Sequence, residues 1–553
     1  MHGISGEMKQ DGFRESMLRC IQFEDDHLLV VNKPSGWNSH AASAAGVDGV
    51  YDWLRNREPR WSRLALVHRL DKETSGLMVF GKTREANQGL SRQFEGRTVR
   101  KFYRFLTDRR VGFERRTVKS AIVRAGERYR VAPPHAGAPE GETHLECLGM
   151  QGQWVAWRAR PVTGLTHQVR VHAAEAGVPV LGDGLYGGLP IGPGVPRLCL
   201  HAERLELVHP VTGMPLEFEA EPDFSAGGPW DLREAMLEPG QTDIYRLLHG
   251  GVDGRPGQVV ERYGDWLLWQ LEDAGAEFAG ADLEVVVGWA KRLGCRGVYG
   301  QTLHRRLQGK GREELAPRRV WGEAAPECWR ARENGVHYEI RFGEGYSVGL
   351  FPDQRDNRRR VLVNHVAPGF LIREGGLAGG RVLNLFAYTC GFSVCAALAG
   401  AETTSVDLSR RPLDWGRENF EANGLDPGSH HFIAGDAMEW VRRLQRQGRS
   451  YDLVIVDPPT FSRSRKGKVF QVERHLGALV EEIVPVVAPG GTLFVSTNAA
   501  GLAAEVFAAE MQAAVGRADR RIRIEHPCTQ SPDFPTGRQQ PAHLKARWVQ
   551  LDG

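Results

Sequence analysis

RVLNLFAYTCGFSVCAALAG, residues 381–400, decides the fold of the C-terminal half of this chain. A short apolar run ends in a tight turn and a second apolar segment with helical spacing follows, so the stretch predicts a strand, a turn and an amphipathic helix. The same grammar recurs downstream. TTSVDLS, 403–409, reads as a second strand ending on Asp407, and FIAGDAMEW, 432–440, as a third that leads to Asp436. YDLVIVDPPTF, 451–461, is a very apolar strand ending on Asp457, Pro458 and Pro459. Strands alternating with helices in this way predict a Rossmann-like doubly wound α/β sheet, whose ligands sit beyond the carboxyl ends of the strands. There an acid at the end of strand two accepts hydrogen bonds from a ribose diol, which suits a dinucleotide and S-adenosylmethionine alike. Phe386, Tyr388 and Gly391 surround the first turn and join Asp407, Asp436 and Asp457 as candidate cofactor contacts, with sheet packing as the plainer role for the two rings.

Two consecutive prolines have no use in a dehydrogenase at that strand end. An enzyme that methylates a planar base can use their rigid backbone, together with Asp457, to grip the ring edge. Upstream, GLFPDQRDNR, 349–358, offers an aromatic lid and charges ahead of the sheet. This ordered set resembles the class I methyltransferases of the RlmI/RlmK group, which modify bases of large-subunit ribosomal RNA. The likeness runs over about 242–548 and begins with YRLLHGGVDGRPGQVVERYGD, 245–265, similar to that group's small α+β domain. It implies S-adenosylmethionine as cofactor, cofactor binding by Asp407 and Asp436, and base positioning by Asp457, Pro458 and Pro459. Cys390 stands where the group's YTG turn has glycine, and its side chain is expected close to the amino-acid end of the cofactor. The group divides between carbon 5 of cytosine and nitrogen 7 of guanine as the methylated atom. Carbon 5 is a poor nucleophile and requires prior addition of a cysteine thiolate. TLFVSTNAA, 492–500, ends on Ser496, Thr497 and Asn498 without a thiol, and DPPTF has none. Guanine nitrogen 7 needs only alignment and hydrogen bonds to the ring edge, which Asp457 and Asn498 can supply. DPPTFSRS and QSPDFPTGRQQPAH, 530–543, also look like the guanine-modifying members. The expectation is guanine nitrogen 7; the alternative is 5-methylcytidine, with Cys390 as the thiol.

The N-terminal half carries a different signature. HRLDKETSGL, 68–77, sets Asp71 on a tight polar turn directly behind two RNA-facing candidates, His68 and Arg69. Alone, an Asp among Lys and Arg is usually a surface ion pair. About ninety residues on come PVTGLTHQVRVH, 161–172, and GVPVLGDGLYGG, 177–188, and together the stretches resemble the RluA-type pseudouridine synthases. The likeness covers about 28–222, from LLVVNKPSGW, 28–37, to LHAERLELVHPVTG, 200–213. It implies a catalytic Asp71, Tyr103 of the Lys101-x-Tyr103 strand under the base, and Arg170 paired with the carboxylate. It implies no cofactor and no metal for this half. Leu165 replaces the arginine of the family's TGRTHQ. His167, His172 and His201, in β-rich stretches, are expected to pack and hydrogen-bond rather than to act as acids or bases. Cys390 and Cys395 are expected in the core, and Trp266 and Trp269 inside strands.

At 553 residues the chain implies several domains. Short alternating runs predict a mostly antiparallel β pseudouridine-synthase domain over 1–224, and Pro, Gly and Ala around 221–229 predict a linker over 225–240. A small α+β accessory, RNA-binding domain is expected over 241–340 and the methyltransferase domain over 341–553. Stretches 132–141 and 189–197 read as surface loops. No run of eighteen apolar residues and no signal-like N-terminus exist, so a cytoplasmic protein is expected. Eight cysteines without ligand-like spacing predict reduced thiols and no metal. Net charge is only +3, yet residues 84–130 hold fourteen Lys and Arg against five Asp and Glu, interleaved with Phe94, Phe102, Tyr103 and Phe105. Cations for phosphates and rings for unpaired bases suit RNA, here large-subunit ribosomal RNA. Target bases must leave their stack, and Arg69 is the candidate to fill the vacated space. The combined expectation is a bifunctional RNA modification enzyme. Against a relict RNA-binding assembly factor stand the intact Asp71, Tyr103 and Arg170 and the intact Asp407 and DPP; a glycosidase would need a second facing carboxylate.

Overall fold

The computed structural model describes residues 18–41, 49–132, 138–192, 194–225, 229–272, 277–303, 311–463, 469–537 and 540–553. The chain divides into two compact units, residues 1–55 with 60–237 and residues 56–59 with 238–553. Parts of the expected loops at 132–141 and 189–197, of the linker, and of the DPPTFSRS and 530–543 stretches lie outside the described residues.

The first unit is built on an eleven-stranded, almost wholly antiparallel sheet. Its centre is the parallel pairing of Ser75–Gly81 with Leu200–Val208, and Leu200–Val208 continues onto Arg100–Thr107 and Trp154–Pro161. That one parallel pairing places the 68–77 turn, which feeds Ser75–Gly81, one strand away from the Tyr103 strand, with Leu200–Val208 between them. One face of the sheet is filled by Leu29, Val31, Trp37, Trp53, Trp61 and Phe80, and another cluster by Phe105, Trp157, Val169 and Leu200. HQVRVH is not part of the β texture. Gln168–Glu175 is a helix, although Val169 and Val171 alternate like strand residues. Tertiary bonds override that local preference: Gln168 accepts from Leu165 N and Thr163 Oγ1 and donates to Glu142 O and Thr143 Oγ1.

The expected linker is also structured. Pro229–Ala235 is helical, Met236 is buried with Leu18 and Cys20, and Cys20 N donates to Ala235 O. Apolar Leu232, Ala235 and Met236 supply one face for burial, which a free linker lacks.

In the second unit, five strands and the helix Gly280–Arg292 form the accessory region, with Trp266 and Trp269 buried in the strand Trp266–Leu271. Its residues Ile244, Tyr263 and Trp266 share one core cluster with Val382, Phe392 and Trp548, so 241–340 and 341–553 are continuous in their packing. The main sheet has seven strands, numbered here β1 Arg381–Leu385, β2 Glu402–Asp407, β3 His431–Ala434, β4 Tyr451–Val456, β5 Val487–Thr497, β6 Ile522–Cys528 and β7 Lys545–Leu551. Their order is β3-β2-β1-β4-β5-β7-β6, with β1 to β5 parallel and β7 antiparallel to both neighbours. The helix after β1, Gly391–Leu398, is buried on nearly every side rather than amphipathic, because both Cys395 and Ala396 meet protein. No described helix is long and apolar enough to cross a membrane.

Candidate active sites

Asp71 lies in a cavity of about 960 Å³ in the first unit, lined also by Arg69, Lys101, Tyr103, His167 and Arg170. The turn that carries it is clamped through its backbone by NKPSGWNS. Buried Lys33 donates to the carbonyls of Pro34, Trp37 and Lys72 at 2.9, 2.8 and 3.0 Å. Ser35 Oγ donates to Glu73 O, and Ser39 Oγ donates to Leu70 O while accepting from Leu70 N. Burial pulls the Lys33 ammonium down to about 7. His68 faces inward, accepting from Val79 N and stacking on Phe94 at 4.7 Å. Arg69 is exposed at the cavity.

Arg170 pairs with Asp71 as expected and with a second carboxylate more closely. Its Nε and Nη2 make a bidentate pair with Asp183 at 2.7 and 2.9 Å, and Nη1 reaches Asp71 Oδ2 at 3.5 Å. The fork geometry of guanidinium saturates one carboxylate and spares one nitrogen for the other. Asp183, in LGDG, was missed by sequence reasoning although it sits inside a quoted motif. Tyr103 has its phenol pushed far up by burial and then by Asp71. His172 bonds Thr143 and Ser120, and His201 bonds Ser75 and Ala220 O, so both serve packing as expected. His167 also bonds and packs, with Nδ1 2.7 Å from Tyr186 Oη, but its other nitrogen, Nε2, stands 3.9 Å from Asp71 Oδ2.

The basic stretch is less basic in space than in sequence. Arg100, Arg104, Arg115 and Lys119 pair with Glu206, Glu203, Glu146 and Glu142 of neighbouring strands. Of the rings, Phe105 is in the core and Phe102 lies under Arg204, leaving Tyr103 and Phe94 in the cavity.

In the second unit a cavity of about 800 Å³ opens over the C-terminal ends of β1, β2 and β4. It gathers Phe386, Tyr388, Gly391, Asp407, Asp436, Asp457, Pro458, Pro459 and Asn498, the full set expected from sequence. Phe386, Tyr388 and Cys390 all have positive φ, at 60°, 48° and 62°. Such backbone strain in non-glycine residues is sustained only where surrounding contacts enforce it. Here Asp407 accepts from Tyr388 N and Ser409 N, and burial raises its pKa. Asp436 caps the helix Ala437–Arg446 through Met438 N and Glu439 N. Asp457 accepts from Ser496 Oγ at 2.6 Å and Gln354 Nε2 at 3.3 Å, and burial pushes it up to about 6. Thr460 Oγ1 donates to Asn498 Oδ1.

Two expectations are corrected here. Cys390 does not face the cofactor side: its left-handed backbone turns the thiol toward Gly416, where an added Cβ would lie 2.5 Å from Sγ. It is fully buried, and burial pushes its pKa up to about 12. In GLFPDQRDNR only Phe351 is lid-like, 48% exposed and 5.4 Å from the Tyr388 ring. The charges are interior: Arg355 holds Asp533 and Arg358 holds Glu333, each bidentately. Asp353, Gln354 and Ser496 were missed; only the order of the FPDQ motif before the sheet hinted at the first two.

The family described as S-adenosylmethionine-dependent methyltransferase matches residues 292–548, and that described as RNA pseudouridylate synthase matches residues 27–175. The chain is 33% identical over 359 residues to a ribosomal RNA large subunit methyltransferase of Deinococcus radiodurans, covering 63% of this chain and 83% of the relative. It is 30% identical to ribosomal RNA large subunit methyltransferase I of Erwinia tasmaniensis, over 55% of this chain and 73% of the relative. Among solved structures, human RNA pseudouridylate synthase domain containing 4 is 23% identical with a TM-score of 0.31, covering 42% of this chain and 97% of that one. The cofactor fits the second cavity: the carboxylates of Asp353, Asp407, Asp436, Asp457 and Glu482 line it and match a ligand rich in hydrogen-bond donors and carrying positive charge. The chain thus belongs to the S-adenosylmethionine-dependent ribosomal RNA large-subunit methyltransferases through its second unit and joins to it an RNA pseudouridylate synthase in its first.

Proposed function

We propose that the first unit isomerises uridine through Asp71 and that the second methylates nitrogen 7 of a guanine, both in large-subunit ribosomal RNA in the cytoplasm. Asp71 is the nucleophile. Its carboxylate attacks the nucleoside, the bond from nitrogen 1 to the sugar breaks, the uracil turns over Tyr103, and carbon 5 closes onto the sugar with release of the carboxylate. Arg170, anchored on Asp183, orients that carboxylate with its remaining nitrogen. Arg69, exposed at the cavity, fills the place of the extruded nucleotide.

In the second unit S-adenosylmethionine supplies an electrophilic methyl group. Asp407 and Asp436 hold it, with Phe386, Tyr388 and Gly391 shaping the turn beside it. Asp457, fixed by Ser496 and Gln354, accepts hydrogens from the guanine edge, and Asn498, oriented by Thr460, contacts the same ring. Pro458 and Pro459 keep this edge rigid. One observation carries the choice of guanine: among the described residues no cysteine lines the cavity, and the neighbouring Cys390 is buried with its thiol turned away. Methylation at carbon 5 of cytosine would need such a thiolate. Borohydride and aniline treatment of large-subunit RNA, after incubation with enzyme and cofactor, should break the chain at one guanine. A cytosine newly resistant to bisulfite, without that break, refutes the reading.

A further inference from the structure

His167 is held in a conformation that sequence reasoning did not foresee. It begins the helix Gln168–Glu175 with φ 57° and ψ 15°, a left-handed backbone that few side chains tolerate. The ring is fixed on one side only. Nδ1 lies 2.7 Å from Tyr186 Oη, and that oxygen accepts from Tyr129 N at 3.0 Å, while the Tyr129 and Tyr186 rings meet the imidazole edge-on at 5.4 and 5.7 Å. Nε2 is left toward the cavity, 3.9 Å from Asp71 Oδ2.

The isomerisation needs a proton acceptor as well as a nucleophile. Once carbon 5 is bonded to the sugar it still carries its hydrogen, which must leave before the ring regains its double bond. We infer that His167 Nε2 is the base that removes this proton, with Nδ1–H donated to Tyr186. The inference rests on Asp71 marking the uridine site. The C5–H electron pair restores the C5–C6 double bond, the C6–N1 π pair moves to nitrogen 1, and nitrogen 1 takes a proton from the imidazolium or from water. Atoms balance, since the net change moves one hydrogen from carbon 5 to nitrogen 1. The other titratable neighbours fit this division of work. Tyr103 is a phenol raised far above neutrality, and Lys101 Nζ is turned to Thr163 O. Burial, followed by opposing effects of Asp71, Arg170 and Asp183, lowers the His167 pKa and leaves a neutral ring near pH 7.

Glycine accepts positive φ without strain, so His167→Gly removes the ring and keeps the turn. On a large-subunit ribosomal RNA transcript, this variant should form pseudouridine about 10²-fold more slowly or worse. Added imidazole should restore part of the rate, and 5-deuterouridine RNA should show a larger isotope effect than with the parent chain. Hydrogen exchange over residues 168–175 reports whether the helix is kept. A rate comparable to the parent, or a loss that neither imidazole nor deuterium modulates, overturns the assignment. If Asp71→Asn also stays active, the reading of the whole site falls, not that of His167 alone.

Discussion

Replacing Asp183 by Asn tests the support behind the first active site. Arg170 is 8% exposed in its side chain and Asp183 1%, and two of the guanidinium's three carboxylate contacts go to Asp183 at 2.7 and 2.9 Å. Asp183→Asn leaves a buried cation with only the longer 3.5 Å contact to Asp71. Removing one member of a buried ion pair costs about 3–5 kcal/mol, and the retained amide oxygen puts the loss near the lower end. At 1.4 kcal/mol per decade, a loss of about 3 kcal/mol corresponds to roughly a hundredfold less protection of the amides that open with this unit. Hydrogen exchange of the full chain, read on peptides from residues 168–208, measures it, and peptides from the methyltransferase sheet act as internal control. Pseudouridine formation should fall as well, because Arg170 no longer holds its orientation at Asp71. Replacing both partners, Arg170→Met with Asp183→Asn, should recover part of the protection and none of the activity. Unchanged exchange in Asp183→Asn would refute the reasoning and make Arg170 a solvated cation with a surface partner.

Asp71→Asn should bring pseudouridine formation to background while methylation of the same RNA persists; isomerisation at a comparable rate would displace the nucleophile. Methyl transfer should weaken as pH falls through about 6, where Asp457, raised by burial, takes a proton and stops accepting hydrogens from the base; a flat profile from pH 5 to 8 would show that its charge is not used. Cys390→Ala should leave methyl transfer nearly intact, whereas abolition with unchanged S-adenosylmethionine affinity by calorimetry would bring the thiol back as nucleophile. A fragment ending after Leu237 should be more stable to urea than one ending at Asp223, because the shorter one forfeits Met236, whose burial is worth about 1.5–3 kcal/mol; equal midpoints would mean that the 229–237 segment adds nothing.

Local signals alone brought much of the second site into view. Strand ends are set by apolar runs a few residues long, and the alternation with helices fixes which ends share an edge, so Asp407, Asp436 and Asp457 are readable as one set in the sequence. HRLD, the Lys101-x-Tyr103 strand and Arg170 were readable as motifs, and they do share one cavity. Tertiary structure decided what no local window contains. It turned Cys390 toward Gly416, through a backbone angle that depends on contacts with a helix some 25 residues on. It paired Arg170 with Asp183 first, buried the charges of the FPDQRDNR stretch in ion pairs with Glu333 and Asp533, and neutralised basic strand residues with glutamates from adjacent strands. It also made HQVRVH a helix and left His167 facing Asp71. The physical reason is common to these cases: apolar periodicity is a property of neighbours along the chain, while hydrogen-bond and charge partners are chosen among residues that only packing brings together.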